Sequence, residues 1–319
     1  MRVSVLGCGR WGTFLAWYAN HIGHEVLLWG REKSSRLAQL KQMRKNEYLN
    51  ITDSMQLTDS LADAVRFADC IIISISSQQL RSLGAQLAAF PDIAAKTCIL
   101  CMKGLEIGTG ERLSKVLEEE LGAEQNIAVW VGPGHVQDFI RGIPNCMVIG
   151  ANHPGVKEHL VEAFTSSLIR FYYGTDLLGI EIGAAAKNVI GIAAGMLDGL
   201  GYSSLKGALM ARGTAELSRL IDALGGDAMT VYGLSHLGDY EATLFSAHSN
   251  NRRFGEDLVK GNTSDKLAEG VYTVEALMAL SQQYEVELPI CQAVHEIVTN
   301  HKDCKEQLLT LFLRPVKSE

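Results

Sequence analysis

The first 31 residues of the chain read MRVSVLGCGRWGTFLAWYANHIGHEVLLWGR, and they set the architecture of its N-terminal half. Residues 2–6 are apolar and rich in β-branched side chains, which predicts a buried strand. The glycine-rich run 7–12 follows, and the apolar residues 13–22 then favour a helix. Residues 25–29 have the pattern of a second strand. The order strand, Gly-x-Gly-x-x-Gly, helix, strand is typical of a dinucleotide-binding unit.

Each glycine of this run has a separate physical role. Gly7 allows a tight turn, Gly9 leaves the backbone open to a pyrophosphate, and Gly12 lets helix and strand approach closely. The helix that begins here offers unpaired N–H groups and a positive dipole end to phosphates. A plain glycine-rich turn is the alternative interpretation, but the flanking strands and helix favour a nucleotide site.

The end of the second predicted strand bears on the choice of cofactor. An NAD-selective site usually places an acidic residue about 20 residues past the motif, where it binds the ribose 2′-hydroxyl. Arg31 stands there instead, and its planar fork of donors can pair with a 2′-phosphate. Glu32 follows and suits a ribose diol. The sequence therefore favours NADPH and leaves NAD open.

The composition is that of a globular protein with two domains. The chain has 319 residues, of which 47% are hydrophobic and 20% charged, and this length exceeds one typical domain core. A formal net charge of −7 without a long basic run argues against nucleic acid as a partner. The most apolar stretch, 180–197, is interrupted by Lys187 and Asn188, so no membrane span is predicted.

Seven scattered cysteines, an odd number, are typical of the reducing cytosol. Cys98 and Cys101 form a C-x-x-C, but they lie in an apolar run that predicts a strand, without a second cysteine or histidine cluster nearby. We expect them to pack in the core, and we predict no metal site. The chain begins with a structural strand, so we expect no signal peptide and a cytoplasmic location.

Strands and helices alternate over the first 175 residues, which predicts an α/β fold with a Rossmann-type doubly wound sheet. The pattern changes near residue 175, and long helical stretches follow. We therefore predict a dinucleotide-binding domain over 1–176 and an all-helical substrate-binding domain over 177–319. The helices predicted in the second domain are 180–200, 208–224, 265–284 and 290–300.

Three polar features of the sequence point to chemistry. Lys187 lies in GAAAKNVIGIAAG, where its neighbours are small or apolar, and burial would lower its pKa toward a range useful for proton transfer. A lysine that extends to solvent from a helix end is the alternative. Lys103 follows a predicted strand at the edge where such sheets bind ligands, although a lone loop lysine is often only solvated. Ser249, with two arginines nearby, suits a helix start that binds phosphate or a plain capped helix.

Taken together, several segments resemble the NAD(P)H-dependent glycerol-3-phosphate dehydrogenases over nearly the whole chain. They are GCGRWGTFLA (7–16), NEYL (46–49), KGLE (103–106), GPGHVQD (132–138), AAKNVIGIAAG (185–195), RGTAE (212–216), GLSHLGD (233–239), NRRFG (251–255) and AEGVYT (268–273). They occur in the family's order, which is far more specific than any one motif.

The resemblance implies reversible reduction of dihydroxyacetone phosphate to sn-glycerol 3-phosphate by NAD(P)H, feeding glycerophospholipid synthesis. It implies that Lys187 is the catalytic lysine, which supplies the proton. The substrate-binding residues expected on this basis, including neighbours of the matching positions, are Lys103, Gly132, His135, Asn188, Asp239, Thr243, Ser249, Asn250, Asn251 and Arg252. The cofactor-binding residues expected are Gly7, Gly9, Arg10, Trp11, Gly12, Arg31, Tyr48, Lys103, Val136, Leu267 and Glu269.

The chain departs from the family pattern at the phosphate end of the substrate site. The family's Ser-Arg-Asn reads Ser249-Asn250-Asn251, so an arginine expected on the substrate phosphate is absent, and Arg252 or Arg253 is the candidate replacement. Two rival functions stay open: a related hydroxyacid or ketopantoate-type dehydrogenase, which Asn250 favours, and a non-catalytic NADPH-binding protein. The expected partner is a phosphorylated small molecule, and a homodimer is left open.

Overall fold

The computed structural model describes residues 1–262 and 268–315 of the chain. The backbone divides into two compact units. The first contains Met1–Met102 and Leu113–Leu177, and the second contains Lys103–Arg112 and Leu178–Glu319. The predicted boundary after residue 176 lies one residue before that of this division, and the segment Lys103–Arg112 groups with the helices. Its Leu105 is fully buried in the hydrophobic core of the second unit, which explains the assignment.

The first unit is built on a sheet of eight strands. They are β1 Arg2–Leu6, β2 Glu25–Trp29, β3 Gln56–Thr58, β4 Cys70–Ile73, β5 Thr97–Leu100, β6 Asn126–Val131, β7 Asn145–Ala151 and β8 Ile169–Tyr173. Their order across the sheet is β3-β2-β1-β4-β5-β6-β7-β8. Neighbouring strands are parallel except for β6 and β7, which pair antiparallel. The order reverses direction between β1 and β4, which is the switch point of a doubly wound sheet, and the Rossmann-type prediction is confirmed.

Seven helices connect these strands in the described part of the first unit. They are α1 Arg10–His21, α2 Ser35–Met43, α3 Leu61–Phe67, α4 Leu80–Leu87, α5 Leu113–Leu121, α6 Val136–Phe139 and α7 Val156–Phe164. The central strand β4 is buried along its whole length, as its continuous apolar sequence requires. Cys98 and Cys101 are both buried in the first unit, in agreement with a packing role.

The short strand β3 lies in a polar stretch, residues 46–59, whose sequence pattern does not indicate a strand. This strand has three residues and pairs with β2 at the edge of the sheet. Its central Leu57 is partly buried against the core of the first unit. A strand with one apolar residue has too little periodicity to be recognised in a sequence, and only its pairing identifies it.

The second unit is helical, as predicted. Its α-helices in the described residues are α8 Leu177–Gly199, α9 Lys206–Ala223, α10 Asn250–Lys260, α11 Glu269–Gln283, α12 Pro289–Val298 and α13 Cys304–Thr310. The helix predicted over 265–284 is described from Glu269 onwards, since residues 263–267 lie outside the described part of the chain. A π-helical turn, Glu241–Phe245, and several 3-10 turns connect the helices.

Helix α8 is the central element of this unit. It is long and apolar enough to cross a membrane by length and composition, but 89% of its most apolar window is buried inside the protein. That burial is typical of a helix in the core of a globular unit. Glycines let α10 pack closely on α8: a Cβ on Gly195 would lie 1.8 Å from the carbonyl oxygen of Arg252, and one on Gly255 would lie 2.1 Å from that of Ile192.

Candidate active site

The glycine-rich loop follows β1 at the point where the strand order reverses. Gly7 adopts φ +123°, and a Cβ built there would lie 2.1 Å from the carbonyl oxygen of Ser74, just past β4. A Cβ on Gly12 would lie 1.9 Å from the carbonyl oxygen of Gly7. Neither position accepts a side chain, so the glycines hold the loop close to the sheet and to the start of α1.

The backbone at Gly9 is open to a ligand. The nearest neighbour of a Cβ built there is Nη1 of Arg36, at 3.4 Å. Gly9 is the N-cap of α1, and no described side chain caps this helix end. The N–H groups of the first turn are therefore available to a phosphate. These residues fit the dinucleotide that the sequence predicts.

Arg10, Trp11 and Tyr48, all predicted to bind the cofactor, surround the start of α1. The guanidinium carbon of Arg10 lies 5.7 Å from the centre of the Tyr48 ring. Burial raises the pKa of the Tyr48 phenol above its ordinary value. Trp11 packs on Phe14, with ring centres 5.0 Å apart. The helix start thus presents a cation and aromatic surface beside the glycine loop.

Two arginines lie next to this loop, and only one of them is predicted from the sequence. Arg31 is exposed directly after β2. Gly30, which precedes it, is so close to the loop that a Cβ there would lie 2.6 Å from Sγ of Cys8. Arg36, on the first turn of α2, has the side chain nearest to Gly9. The spacing of Arg36 from the glycine motif is not one that predicts a role for it. Only the fold shows that its side chain lies near Gly9.

Gly132, His135 and Val136 follow β6 in the first unit. Gly132 has φ +139°, and a Cβ there would lie 2.9 Å from Cα of Met147 in β7. His135 precedes the single-turn helix α6, whose first residue, Val136, is almost fully buried. Among the remaining predicted cofactor residues, Glu269 begins α11 in the second unit, and Leu267 lies outside the described residues.

Five of the predicted residues meet in one cluster in the second unit. They are Lys103, Lys187, Asn188, Asp239 and Thr243. Nζ of Lys187 lies 2.7 Å from Oδ2 of Asp239 and donates to Oγ1 of Thr243 at 2.6 Å. Nζ of Lys103 donates to the same Asp239 oxygen at 2.6 Å. Nδ2 of Asn188 donates to the backbone carbonyl of Lys103 at 2.9 Å.

The cluster is buried unequally. Lys187 is 5% exposed and Asp239 is 1% exposed, whereas the side chain of Lys103 retains 21% of its exposure. The alternative interpretation of Lys187 as a lysine that extends to solvent is therefore wrong, because its ammonium lies inside the helical unit. Two lysines share one carboxylate, which leaves the cluster with a net positive charge. Such a site attracts an anionic substrate.

Burial sets the proton affinity of Lys187. Desolvation lowers its pKa to about 8, and the positive charge of Lys103 acts in the same direction, while the attraction of Asp239 opposes both. An amine with such a pKa exchanges its proton readily near neutral pH. The cluster can therefore donate a proton to an oxygen that gains negative charge, or accept one from a hydroxyl.

The predicted phosphate residues lie at the start of α10. Ser249 is the N-cap of this helix, and its hydroxyl accepts from the backbone N–H of Arg252 at 3.3 Å. Oδ1 of Asn251 accepts from the backbone N–H of Gly270 at 3.0 Å. A Cβ on Gly191, one turn past Lys187 on α8, would lie 2.7 Å from Cγ2 of Thr243 and 3.5 Å from Cβ of Asn251. The helix start therefore packs against the turn of α8 that follows Lys187.

Arg252 is held by acidic partners. Its guanidinium pairs with Asp198 and with Glu256, and its Nε donates to the carbonyl of Ser246 at 3.0 Å. Lys206 also pairs with Asp198, at 2.6 Å. The charge of Arg252 is therefore largely neutralised inside the protein. The next arginine along the chain, Arg253, is exposed.

Two further residues, His236 and Tyr240, flank Asp239 and are not predicted from the sequence. Both are fully buried, and Nε2 of His236 lies 2.7 Å from the hydroxyl of Tyr240. Nδ1 of His236 lies 2.9 Å from the carbonyl oxygen of Gly183 on α8. Their position beside Asp239 in GLSHLGDY was the available signal, but a histidine and a tyrosine four residues apart have many ordinary structural uses.

Comparison with known proteins identifies relatives over the full length of the chain. The family model described as the NAD-dependent glycerol-3-phosphate dehydrogenase N-terminus matches residues 2–157, and the C-terminal model of the same family matches residues 176–309. A glycerol-3-phosphate dehydrogenase [NAD(P)+] of Chlorobium phaeobacteroides (strain BS1) is 38% identical, covering 100% of this chain and 99% of the relative. The corresponding protein of Pelodictyon phaeoclathratiforme is 35% identical, with the same coverage.

A solved structure has the same fold. The crystal structure of glycerol-3-phosphate dehydrogenase from Coxiella burnetii matches with a TM-score of 0.92 and 27% identity. The match covers 98% of this chain and 99% of the other.

Proposed function

The chain belongs to the NAD-dependent glycerol-3-phosphate dehydrogenase family, and on that premise we propose how its residues reduce dihydroxyacetone phosphate to sn-glycerol 3-phosphate. The protein is an oxidoreductase that uses NAD or NADP. A nicotinamide cofactor, when bound, would supply the hydride for the substrate carbonyl carbon. The observation that carries the residue assignment is the buried Lys187 ammonium, held 2.7 Å from Asp239.

Lys187 acts as the general acid. Negative charge develops on the substrate C2 oxygen as the carbonyl is reduced, and a nearby ammonium stabilises it. The Lys187 proton moves to this oxygen and gives the secondary hydroxyl of the product. In the reverse reaction, the neutral amine accepts the hydroxyl proton. A pKa of about 8 allows both directions near neutral pH.

Asp239, Lys103 and Asn188 prepare the site for this step. Asp239 holds both ammonium groups through one oxygen, at 2.6 Å and 2.7 Å, and thereby fixes where they meet the substrate. Lys103 is more exposed than Lys187 and provides a second positive charge for the substrate. Asn188 fixes the backbone of Lys103 and thereby its approach to the site.

We infer that the substrate phosphate binds at the start of α10, through Ser249, Asn250, Asn251 and Thr243. The N–H groups at the N-terminus of α10 replace part of the contact that the family's arginine, absent here, would make with the phosphate. Arg252 is engaged with Asp198 and Glu256, so we expect it to support this helix start indirectly. We propose that Gly132 and His135 also contact the substrate.

We propose that the dinucleotide binds along the glycine loop, with Gly7, Gly9, Gly12, Arg10 and Trp11 at its phosphates. Its other contacts in this proposal are Arg31, Tyr48, Lys103, Val136, Leu267 and Glu269. The absence of an acidic residue at position 31 and the presence of Arg36 beside Gly9 support NADPH. We further propose a cytoplasmic location and a role in glycerophospholipid synthesis.

The test follows the oxidation of NADPH by absorbance in the presence of dihydroxyacetone phosphate, with NADH in parallel. We expect turnover by the unaltered protein and its loss in Lys187→Met, which keeps the side-chain volume. Lys115→Met, on the outer face of α5, is the matched control and should retain full activity. Tight NADPH binding without turnover would show that the substrate is a different one, and equal rates in Lys187→Met would exclude Lys187 as the proton donor.

A further inference from the structure

His236 and Tyr240 form a buried polar pair that the reaction steps above do not use. Both side chains are 0% exposed. The imidazole lies between two partners, the carbonyl of Gly183 and the hydroxyl of Tyr240. Gly183 lies one helical turn before Lys187 on α8. The pair therefore contacts the turn of the helix that leads to the proposed proton donor.

The bond to Gly183 determines the tautomer of His236. A carbonyl oxygen can only accept, so the hydrogen lies on Nδ1. Burial lowers the pKa of His236 to about 4, which keeps the ring neutral at physiological pH. Nε2 therefore accepts the hydrogen of the Tyr240 hydroxyl. Burial also raises the pKa of Tyr240 well above its ordinary value, so this hydrogen stays in place.

Two glycines make room for the pair. A Cβ on Gly183 would lie 3.1 Å from Cβ of His236, and a Cβ on Gly213 of α9 would lie 3.2 Å from the hydroxyl of Tyr240. The backbone N–H of Asp239 donates to the carbonyl of His236 at 3.0 Å. The turn 236–240 is therefore tied to α8 at its first residue and packed against α9 at its last.

We propose that His236 and Tyr240 are positioning residues, which hold the turn 236–240 on α8 so that the carboxylate of Asp239 bridges Lys187 and Lys103. This inference rests on the proposed role of Lys187. The Asp239 contacts are short, at 2.6 Å and 2.7 Å, so a shift of about 1 Å in the turn would break them. The competing interpretation is an ordinary buried hydrogen-bonded pair that contributes only to stability.

The electrostatic surroundings predict what a displaced turn would do. Lys187 faces Asp239 and the neutral His236 from the turn, and Lys103 from the segment Lys103–Arg112. Tyr240 faces Glu216 on α9 and Cys291 on α12. Asp239 is the negative group that opposes burial and Lys103 in setting the proton affinity of Lys187. Moving this carboxylate away would lower the pKa of Lys187.

The experiment compares three substitutions in the full-length protein. Tyr240→Phe removes the hydroxyl, and His236→Gln places an amide near the former Nε2 and gives up the bond to Gly183. His236→Asn keeps a donor near the former Nδ1. We expect the first two to lower kcat by about tenfold or more with little change in KM, and His236→Asn to retain more activity. Tyr18→Phe is the control. Tyr18 lies in the first unit and is equally buried, and its hydroxyl donates to the carbonyl of Phe164 in the same unit.

The pKa of Lys187 is the second measurement, because it requires no turnover. It is followed by NMR in protein labelled with 13C-lysine, and the signal is assigned by its loss in Lys187→Met. We expect a lower pKa in Tyr240→Phe and His236→Gln, and an unchanged value in Tyr18→Phe. The inference would be overturned if Tyr240→Phe reduced only the melting temperature and left the pKa of Lys187 equal to that in the unaltered protein. Absence of turnover in the unaltered protein would refute the proposed function instead, and the titration would still decide this question.

Discussion

Oδ2 of Asp239 lies 2.7 Å from Nζ of Lys187, and the two side chains are separated by 52 residues along the chain but are both almost fully buried. The same oxygen lies 2.6 Å from Nζ of Lys103. A buried carboxylate between two ammonium groups controls both their positions and their proton affinities. Most of the chemistry proposed for this enzyme depends on that arrangement.

The pH dependence of the two reaction directions should have opposite signs. Reduction requires the Lys187 ammonium, so kcat for reduction should fall as the pH rises through about 8. Oxidation of glycerol 3-phosphate requires the neutral amine, so its kcat should rise over the same interval. Initial rates between pH 6 and about 10 check this. If kcat changed with pH in the same direction for reduction and for oxidation, the role of Lys187 would be contradicted.

Removing the charge of Asp239 or of Lys103 should shift the pH at which kcat for reduction falls, which we call the pH limb. Asp239→Asn removes an attraction, so the pKa of Lys187 and the limb should shift to lower pH, and kcat should fall by about 100-fold. Lys103→Gln removes a repulsion, so the limb should shift to higher pH, with an increased KM for the substrate. Shifts in the same direction for both variants would show that Lys187 does not titrate in this profile.

The start of α10 should accept the arginine that the family pattern contains. Asn250→Arg adds a bidentate donor for the substrate phosphate, so the KM for dihydroxyacetone phosphate should fall. Lys260→Arg, at the far end of the same helix, is the control for a general effect of arginine on α10. An unchanged or higher KM in Asn250→Arg would mean that the phosphate is bound elsewhere.

Arg31 and Arg36 should determine the preference for NADPH. Each guanidinium can bind the 2′-phosphate, so Arg31→Ala and Arg36→Ala should each lower kcat/KM for NADPH by about tenfold, with little effect on NADH. Rates with both cofactors under identical conditions measure this ratio. Arg66→Ala, at an exposed position of α3, should leave the ratio unchanged. Equal losses with NADPH and NADH would indicate that the arginines do not discriminate.

The packing of α10 on α8 should be sensitive to a single methyl group. Gly195→Ala would bring a Cβ within 1.8 Å of the carbonyl oxygen of Arg252, which should lower the free energy of unfolding by about 1–3 kcal/mol. Gly207→Ala, on α9, is the matched control: nothing lies within 4 Å of its Cβ, so we expect stabilisation by about 0.5–1 kcal/mol. Chemical denaturation measures both values. Equal stability of the two variants would show that the close helix contact is absent.

Local patterns predicted much of the fold. The alternation of strands and helices, the glycine loop and the helical second half are confirmed, because each depends on residues that are neighbours in the chain. Such patterns gave no indication of β3, whose single apolar residue is stabilised only by pairing with β2. They gave no indication that Lys103–Arg112 groups with the helices either, because the partners of Leu105 are set only when the helices pack.

The sequence by itself determined that Gly7, Gly9 and Gly12 form a loop suited to phosphates, and that a lysine at position 187 is surrounded by small apolar residues. It did not determine which charges meet that lysine. Asp239 and Lys103 lie 136 residues apart in the chain, and the engagement of Arg252 with Asp198 spans 54 residues. Only tertiary structure decided these pairs, because periodicity reports on neighbours within a few turns, whereas the partners of a buried charge are selected by the packing of distant elements.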